Sequence, residues 1–265
     1  MSEQVRIEAA GCMLDIEHAF VGSSAPAAPL LVFLHEGLGS LAMWRDFPSR
    51  LCEATGHRGL VYSRPGYGRS TPRAPDEHWG VDFMHQQARD VLPALLTALQ
   101  APPRYALFGH SDGGSIALIH AATFPERVTR AIVLAPHIVV ETLSVASIAA
   151  VRETYRSTDF RAKLARHHDD VDSAFWGWND IWLKPAFARW SIKALLPDIR
   201  CPLLAIQGEQ DEYGTMAQID GIAEALPGGQ CRLLELEHCG HSPHRDQPAA
   251  VIAASGAFFA LDAQP

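Results

Sequence analysis

The stretch Leu107-Phe108-Gly109-His110-Ser111-Asp112-Gly113-Gly114-Ser115 joins two runs of different character. Tyr105 to Phe108 is apolar throughout, and Ser115 to Ala122 is helix-forming. Gly109-His110-Ser111-Asp112-Gly113 therefore falls at a turn from a strand into a helix. A serine at such a turn is held on a sharp bend that lifts its hydroxyl clear of both elements, and glycines two residues to either side let neighbouring backbone pass close. The N–H groups that follow, at a helix start, point into the same space and favour negative charge there. The pentapeptide by itself leaves two readings open: a reactive serine, or a Gly-rich turn with a buried one.

The rest of the chain supplies the sheet that such a turn requires. Val5 to Ala9 and Met13 to Phe20 flank Gly11 and predict an antiparallel hairpin at a sheet edge. Leu30-Leu31-Val32-Phe33-Leu34 is continuously apolar, as expected of a strand covered on both faces, and ends in the loop His35-Glu36-Gly37-Leu38-Gly39-Ser40. A helix around Trp44 to Thr55, a strand Leu60 to Tyr62, a helix Asp82 to Leu99, and a strand Ala131 to Leu134 after the Ser111 helix continue the alternation. That rhythm implies a mostly parallel, doubly wound α/β sheet, which places ligands beyond the carboxyl ends of its strands. From Pro136 to about Pro197 the rhythm stops. Helical stretches over Val145 to Tyr155, Arg161 to His168, Ser173 to Leu183 and Phe187 to Leu195 predict an inserted helical cap holding Trp176, Trp178, Trp182 and Trp190. Strands resume with Leu203 to Ile206 and Cys231 to Leu236, separated by a helix from Met216 to Leu226 and followed by one from Pro248 to Leu261. The expected division is a core over 1–137, a cap over 138–197, and the second part of the core over 198–265.

At 265 residues the chain is long enough for one large α/β domain with an insertion. Its formal net charge of −8 comes without any extended Lys/Arg run, which argues against a nucleic-acid surface and against acidic partners. Five scattered cysteines with no C-x-x-C spacing read as reduced thiols. The first twenty residues hold no apolar signal core and no run reaches the ~18 apolar residues of a membrane span. The expectation is a cytoplasmic protein without a membrane partner, either monomer or homodimer.

Two further strand ends carry chemistry. Gly208-Glu209-Gln210-Asp211-Glu212 follows one, and Glu237-His238-Cys239-Gly240-His241-Ser242-Pro243-His244 follows the next. The chain order is thus Ser, acid, His. With the His35-Glu36-Gly37 loop, the Gly-x-Ser-x-Gly turn, the Gly-x-x-Asp and the Gly240-His241 pair all in register, the chain resembles the α/β-hydrolase superfamily along nearly its whole length, in particular the lidded serine hydrolases.

That resemblance implies the α/β-hydrolase fold, with Ser111 as nucleophile, His241 as general base and Asp211 as the carboxylate that orients it; Glu209, Glu212, His238 and His244 are the rivals. It also implies an oxyanion hole from the backbone N–H groups of Gly37 and Asp112. The chain departs from the family pattern at Glu36, where His-Gly is commoner than His35-Glu36. Substrate contacts are expected from His35, Glu36, His110, Trp176, Trp178 and Trp182. No metal or other cofactor is implied: Gly39 stands where an H-E-x-x-H zinc motif needs histidine, and Gly66-Tyr67-Gly68 lacks the third glycine of a dinucleotide loop. His167-His168-Asp169-Asp170 reads as solvated surface. Serine at the turn excludes the branches of the family that need aspartate there. The expected reaction is cleavage of a carboxylic ester of a small to medium apolar or aromatic substrate through an acyl-enzyme. Thioesters, lactones and carbon–carbon bonds are the other chemistries implied. The Ser-Asp-Gly-Gly turn also looks similar to the valacyclovirase-like amino-acid ester hydrolases, where the acid after the nucleophile meets an ammonium group. A ligand-binding receptor on the same fold is the non-enzymatic alternative.

Overall fold

Continuous apolar strands need cover on both faces, and helices packed on the two sides of one sheet provide it. In the computed structural model, which describes residues 2–262 apart from 26 and 75, eight strands form one sheet: β1 (Glu3–Ala9), β2 (Cys12–Gly22), β3 (Leu30–Leu34), β4 (Arg58–Tyr62), β5 (Tyr105–His110), β6 (Val128–Leu134), β7 (Leu203–Gly208) and β8 (Cys231–Leu236). Their order is β1-β2-β4-β3-β5-β6-β7-β8. The predicted hairpin β1–β2 joins β4 antiparallel at one edge, and every other pairing is parallel.

Alternation along each strand sorts side chains to two faces. Leu30, Val32 and Leu34 enter one core with Leu107, Ala131 and Val133, whereas Leu31 and Phe33 enter the other with Phe108, Ile132 and Ile206. Helices α1 (Phe47–Thr55) and α10 (Pro248–Phe259) cover the second face. The first is covered by α2 (Phe83–Gln86), which runs through a π turn (Gln87–Val91) into α3 (Leu92–Ala98), and by α4 (Asp112–Thr123) and α8 (Ala217–Ala225). Burial of α4 extends from Asp112 to Ala121, so this helix lacks a polar face.

Between β6 and β7 lie α5 (Thr142–Ser157), α6 (Phe160–Leu164), α7 (Val171–Trp182) and two 3-10 turns, Pro185–Arg189 and Lys193–Asp198. Three expectations need correction. The helix expected over Phe187 to Leu195 is broken into these two tight turns, bounded by Pro185 and Pro197, and a bridge pairs Val139 with Ser191 in a stretch read as strand-free. The helix expected from Trp44 begins only at Phe47, because Arg45 takes φ of +53° and Pro48 favours a helix start. The helix over Asp82 to Leu99 widens into its π turn just before Pro93, whose missing N–H leaves a carbonyl of the preceding turn without its usual donor. The four-residue α9 (Pro243–Asp246) follows β8 and has no counterpart in the sequence reading.

Candidate active site

The turn between β5 and α4 is as tight as its glycines suggest. Ser111 takes φ of +53° and ψ of −120°, a conformation L-residues rarely adopt and keep only where the surroundings enforce it. Added Cβ atoms at Gly109 and Gly113 would collide with the Gly113 and Leu34 carbonyl oxygens respectively, so neither position tolerates a side chain. The bend brings the Ser111 hydroxyl to 2.9 Å from Nε2 of His241. Nδ1 of His241 lies 2.8 and 2.9 Å from the two oxygens of Asp211, so it donates there and leaves Nε2 as the acceptor for the hydroxyl proton.

Asp211 is fixed in turn by the Tyr213 N–H at 2.7 Å, the Gly214 N–H at 3.2 Å and Gln207 Nε2 at 2.7 Å. Burial works to raise its carboxyl, but the His241 and Tyr213 hydrogen bonds and the nearby His137 outweigh it and hold Asp211 below the usual carboxylate range. The rivals lie elsewhere. Glu209 and His238 are exposed, Glu212 accepts from the His241 backbone N–H at 3.3 Å, and His244 is buried between Trp44 and Phe47.

The β3 loop and the start of α4 converge beside Ser111. Asp112 is the first residue of α4, where an N–H has no intrahelical acceptor, and the Gly37 N–H has no acceptor among the described residues. Glu36, expected to touch substrate, and Asp112, whose side chain the valacyclovirase-like resemblance would aim at an ammonium group, are both engaged with protein. Asp112 is fully buried. Its Oδ1 accepts from Trp182 Nε1 at 3.2 Å, and its Oδ2 faces Arg64 Nη2 at 3.7 Å. Burial raises the Asp112 carboxyl above the usual range despite Arg64 and Trp182. Glu36 accepts from Arg245 Nη2 at 3.0 Å and faces His110 Nδ1 at 3.6 Å.

A cavity of about 270 Å³ opens onto Ser111 and His241. Apolar groups dominate its walls, among them Leu38, Ile148, Phe160, Leu164, Trp178 and Trp182, and Glu36, Gly37, His110 and Asp112 line it as well. Two residues expected to touch substrate, His35 and Trp176, do not line this cavity. His35 is fully buried, accepting from the Arg64 N–H at Nε2 and donating from Nδ1 to the Glu36 carbonyl, and it packs on Tyr67 instead of reaching the cavity. Trp176 lies on the other side of α7, beneath Arg152 and Arg156 and edge-on to Tyr155. The reason is helical period: residues 178 and 182 are one turn apart and share a face, whereas 176 is rotated by about 200° from 178.

Residues 31–254 match the family model described as an alpha/beta hydrolase family. The chain belongs to the alpha/beta hydrolase family. The mouse (Mus musculus) serine hydrolase BPHL is 27% identical over 194 residues, which cover 71% of this chain and 65% of that protein; the human protein is likewise matched over 65% of its length, so the chain spans just under two thirds of these relatives. A 2-succinyl-6-hydroxy-2,4-cyclohexadiene-1-carboxylate synthase of Klebsiella pneumoniae is 27% identical over 272 residues, covering 89% of this chain and 95% of the relative. Among solved structures, a proline iminopeptidase of Mycobacterium smegmatis superposes with a TM-score of 0.75 at 20% identity, covering 97% of each chain, a likeness of fold.

Several residues around Ser111 carry no signal in the sequence. Arg64 sits in the Arg-Pro-Gly-Tyr-Gly turn after β4 yet donates to the Glu36 carbonyl at 2.8 Å and compensates Asp112. His168 belongs to the stretch read as solvated surface. It is buried instead, accepting from the Gly68 N–H at 3.0 Å and set 3.1 Å from the Leu38 carbonyl, so it ties the helical insertion to the β3 loop. His137 lines the cavity and hydrogen-bonds the Tyr213 carbonyl through Nε2. No helix among the described residues is long and apolar enough to cross a membrane.

Proposed function

We propose that this hydrolase cleaves a carboxylic ester with a small to medium apolar or aromatic acyl group through an acyl-enzyme on Ser111. The observation that carries the reading is the unbroken line Ser111–His241–Asp211 at 2.9 and 2.8 Å, opening into a cavity walled by apolar side chains. His241 takes the Ser111 proton as Oγ attacks the ester carbonyl, and Asp211 stabilises the imidazolium that results. The Gly37 and Asp112 N–H groups receive the charge that develops on the carbonyl oxygen. His241 then returns its proton to the departing alcohol, and a water activated by the same ring releases the acid. The helical insertion acts as a cap that excludes bulk water and shapes the acyl pocket.

One observation favours a second reading, an amino-acid ester. Asp112 lines the cavity, and its buried Oδ2 has no hydrogen-bond donor. The buried Arg64 already opposes that charge, which is why the apolar reading takes precedence. A screen of p-nitrophenyl esters of rising acyl length, aryl esters, lactones, acyl-CoAs and amino-acid esters tests the proposal. Highest kcat/KM on short to medium or aromatic esters is the expected outcome. Turnover confined to another class overturns the substrate assignment, and no turnover of any class, with no labelling by a fluorophosphonate, points to the receptor alternative.

A further inference from the structure

Three loops must hold register for such a site to work: the one after β3 that carries Gly37, the turn that carries Ser111, and the one after β8 that carries His241. All three meet at the Glu36 side chain. Oε1 accepts from Arg245 Nη2 at 3.0 Å, and the same Nη2 lies 3.2 Å from the Met43 carbonyl oxygen. Arg245 belongs to α9, four residues beyond His241. Oε2 faces His110 Nδ1 at 3.6 Å, a buried nitrogen with no hydrogen-bond partner. The other nitrogen of that ring, Nε2, lies 2.7 Å from the backbone carbonyl oxygen of His241.

A carbonyl oxygen only accepts, so Nε2 of His110 carries its hydrogen. Nδ1 of the same ring is turned to Oε2 of Glu36, so the His110 ring stands between the Glu36 carboxylate and the His241 main chain. The main chain of residue 36 is pinned as well, because its carbonyl accepts from Arg64 Nη2 at 2.8 Å and from His35 Nδ1 at 2.7 Å. Residue 36 is thus held at backbone and side chain immediately before the Gly37 N–H.

We propose that Glu36 is a positioning residue: through Arg245 and His110 it locks the Gly37 loop to the His241 loop, and so sets where the oxyanion donor stands relative to Ser111 and His241. Burial would raise the Glu36 carboxyl, but His110 and Arg245 hold it well below the usual carboxylate range, in keeping with a permanent charge in the brace. This role replaces the substrate contact expected of Glu36, and it rests on the serine-hydrolase reading.

The test uses Glu36→Gln, which keeps the shape and removes the charge, with Arg245→Gln and the double variant. Reactive sites are counted with a fluorophosphonate, kcat and KM are measured on the best ester of the wild type, and melting temperature is recorded. A positioning role lowers kcat per titrated site by about ten- to hundredfold in each single variant, with KM within about threefold of wild type and the double variant no worse than the poorer single one. A raised KM with unchanged kcat would make Glu36 a substrate contact and overturn the proposal. So would a lower melting temperature and fewer titrated sites with kcat per site preserved, which marks a purely structural role. Should Glu36→Gln fail to fold, Arg245→Gln, whose side chain is 37% exposed, decides by the same readouts. A wild type that does not label overturns the serine-hydrolase reading and the proposal with it, whereas a labelled wild type with unaffected variants overturns the proposal alone.

Discussion

Ser111 keeps its left-handed backbone because Gly109 and Gly113 let β3 and α4 close around it, and the same closure delivers its hydroxyl to His241. Replacing Ser111 or His241 by Ala should each remove most turnover, and the double variant should be scarcely slower, since the groups act as one unit. Asp211→Asn should retain more. Near-wild-type kinetics in Asp211→Asn beside a dead Glu209→Gln would refute the acid assignment. Asp112 poses a separate question. With Arg64 opposite it and Trp182 donating to it, its charge is spoken for. We expect kcat/KM for an aminoacyl ester and its N-acetyl form to differ by no more than a few-fold, about 1 kcal/mol or less, in wild type and in Asp112→Asn alike. A preference of tens for the free amine that collapses in the variant would restore the ammonium reading.

Helix α7 shows what the sequence could and could not tell. The strands were legible because Leu30 to Leu34 and Leu203 to Ile206 are apolar without interruption, and their ends located Asp211 and His241 beside the Ser111 turn. The helical insertion was legible as a loss of strand rhythm. Composition alone does not tell which of its tryptophans face the cavity, although the 3.6-residue period separates Trp178 and Trp182 from Trp176. Arg64 and His168 were illegible for a different reason: their partners, Asp112 and Leu38, lie far along the chain and leave no local pattern. Trp178→Ala and Trp182→Ala should change the ranking of esters by acyl size, and Trp176→Ala should leave that ranking intact. kcat/KM across an acyl series decides, and a ranking altered only by Trp176→Ala would reverse the assignment of faces.

Over the whole molecule, buried neutral histidines make stability sensitive to acid. His120 joins α4 to the π turn, donating from Nδ1 to the Ala88 carbonyl at 2.7 Å and accepting at Nε2 from the Tyr105 hydroxyl, also at 2.7 Å. Burial pushes His120 down to about 4, and burial together with the neighbouring His241 does the same for His137. Unfolded, both rings take up a proton near pH 6.5, so the unfolded chain binds more protons from there down to about pH 4 and stability is lost as pH falls through that interval. The melting temperature should drop by roughly 5–10 °C between about pH 7 and about pH 5, and His120→Gln should flatten the dependence; a flat profile in the wild type would contradict the burial argument. The fold, the site and the proposed chemistry all converge on one covalent intermediate. Rapid acid quench during turnover of a p-nitrophenyl ester, followed by mass spectrometry of the digested protein, should find the acyl mass on the peptide carrying Ser111 and none in Ser111→Ala. Turnover with no adduct on that peptide, or with the adduct on another residue, would contradict the account.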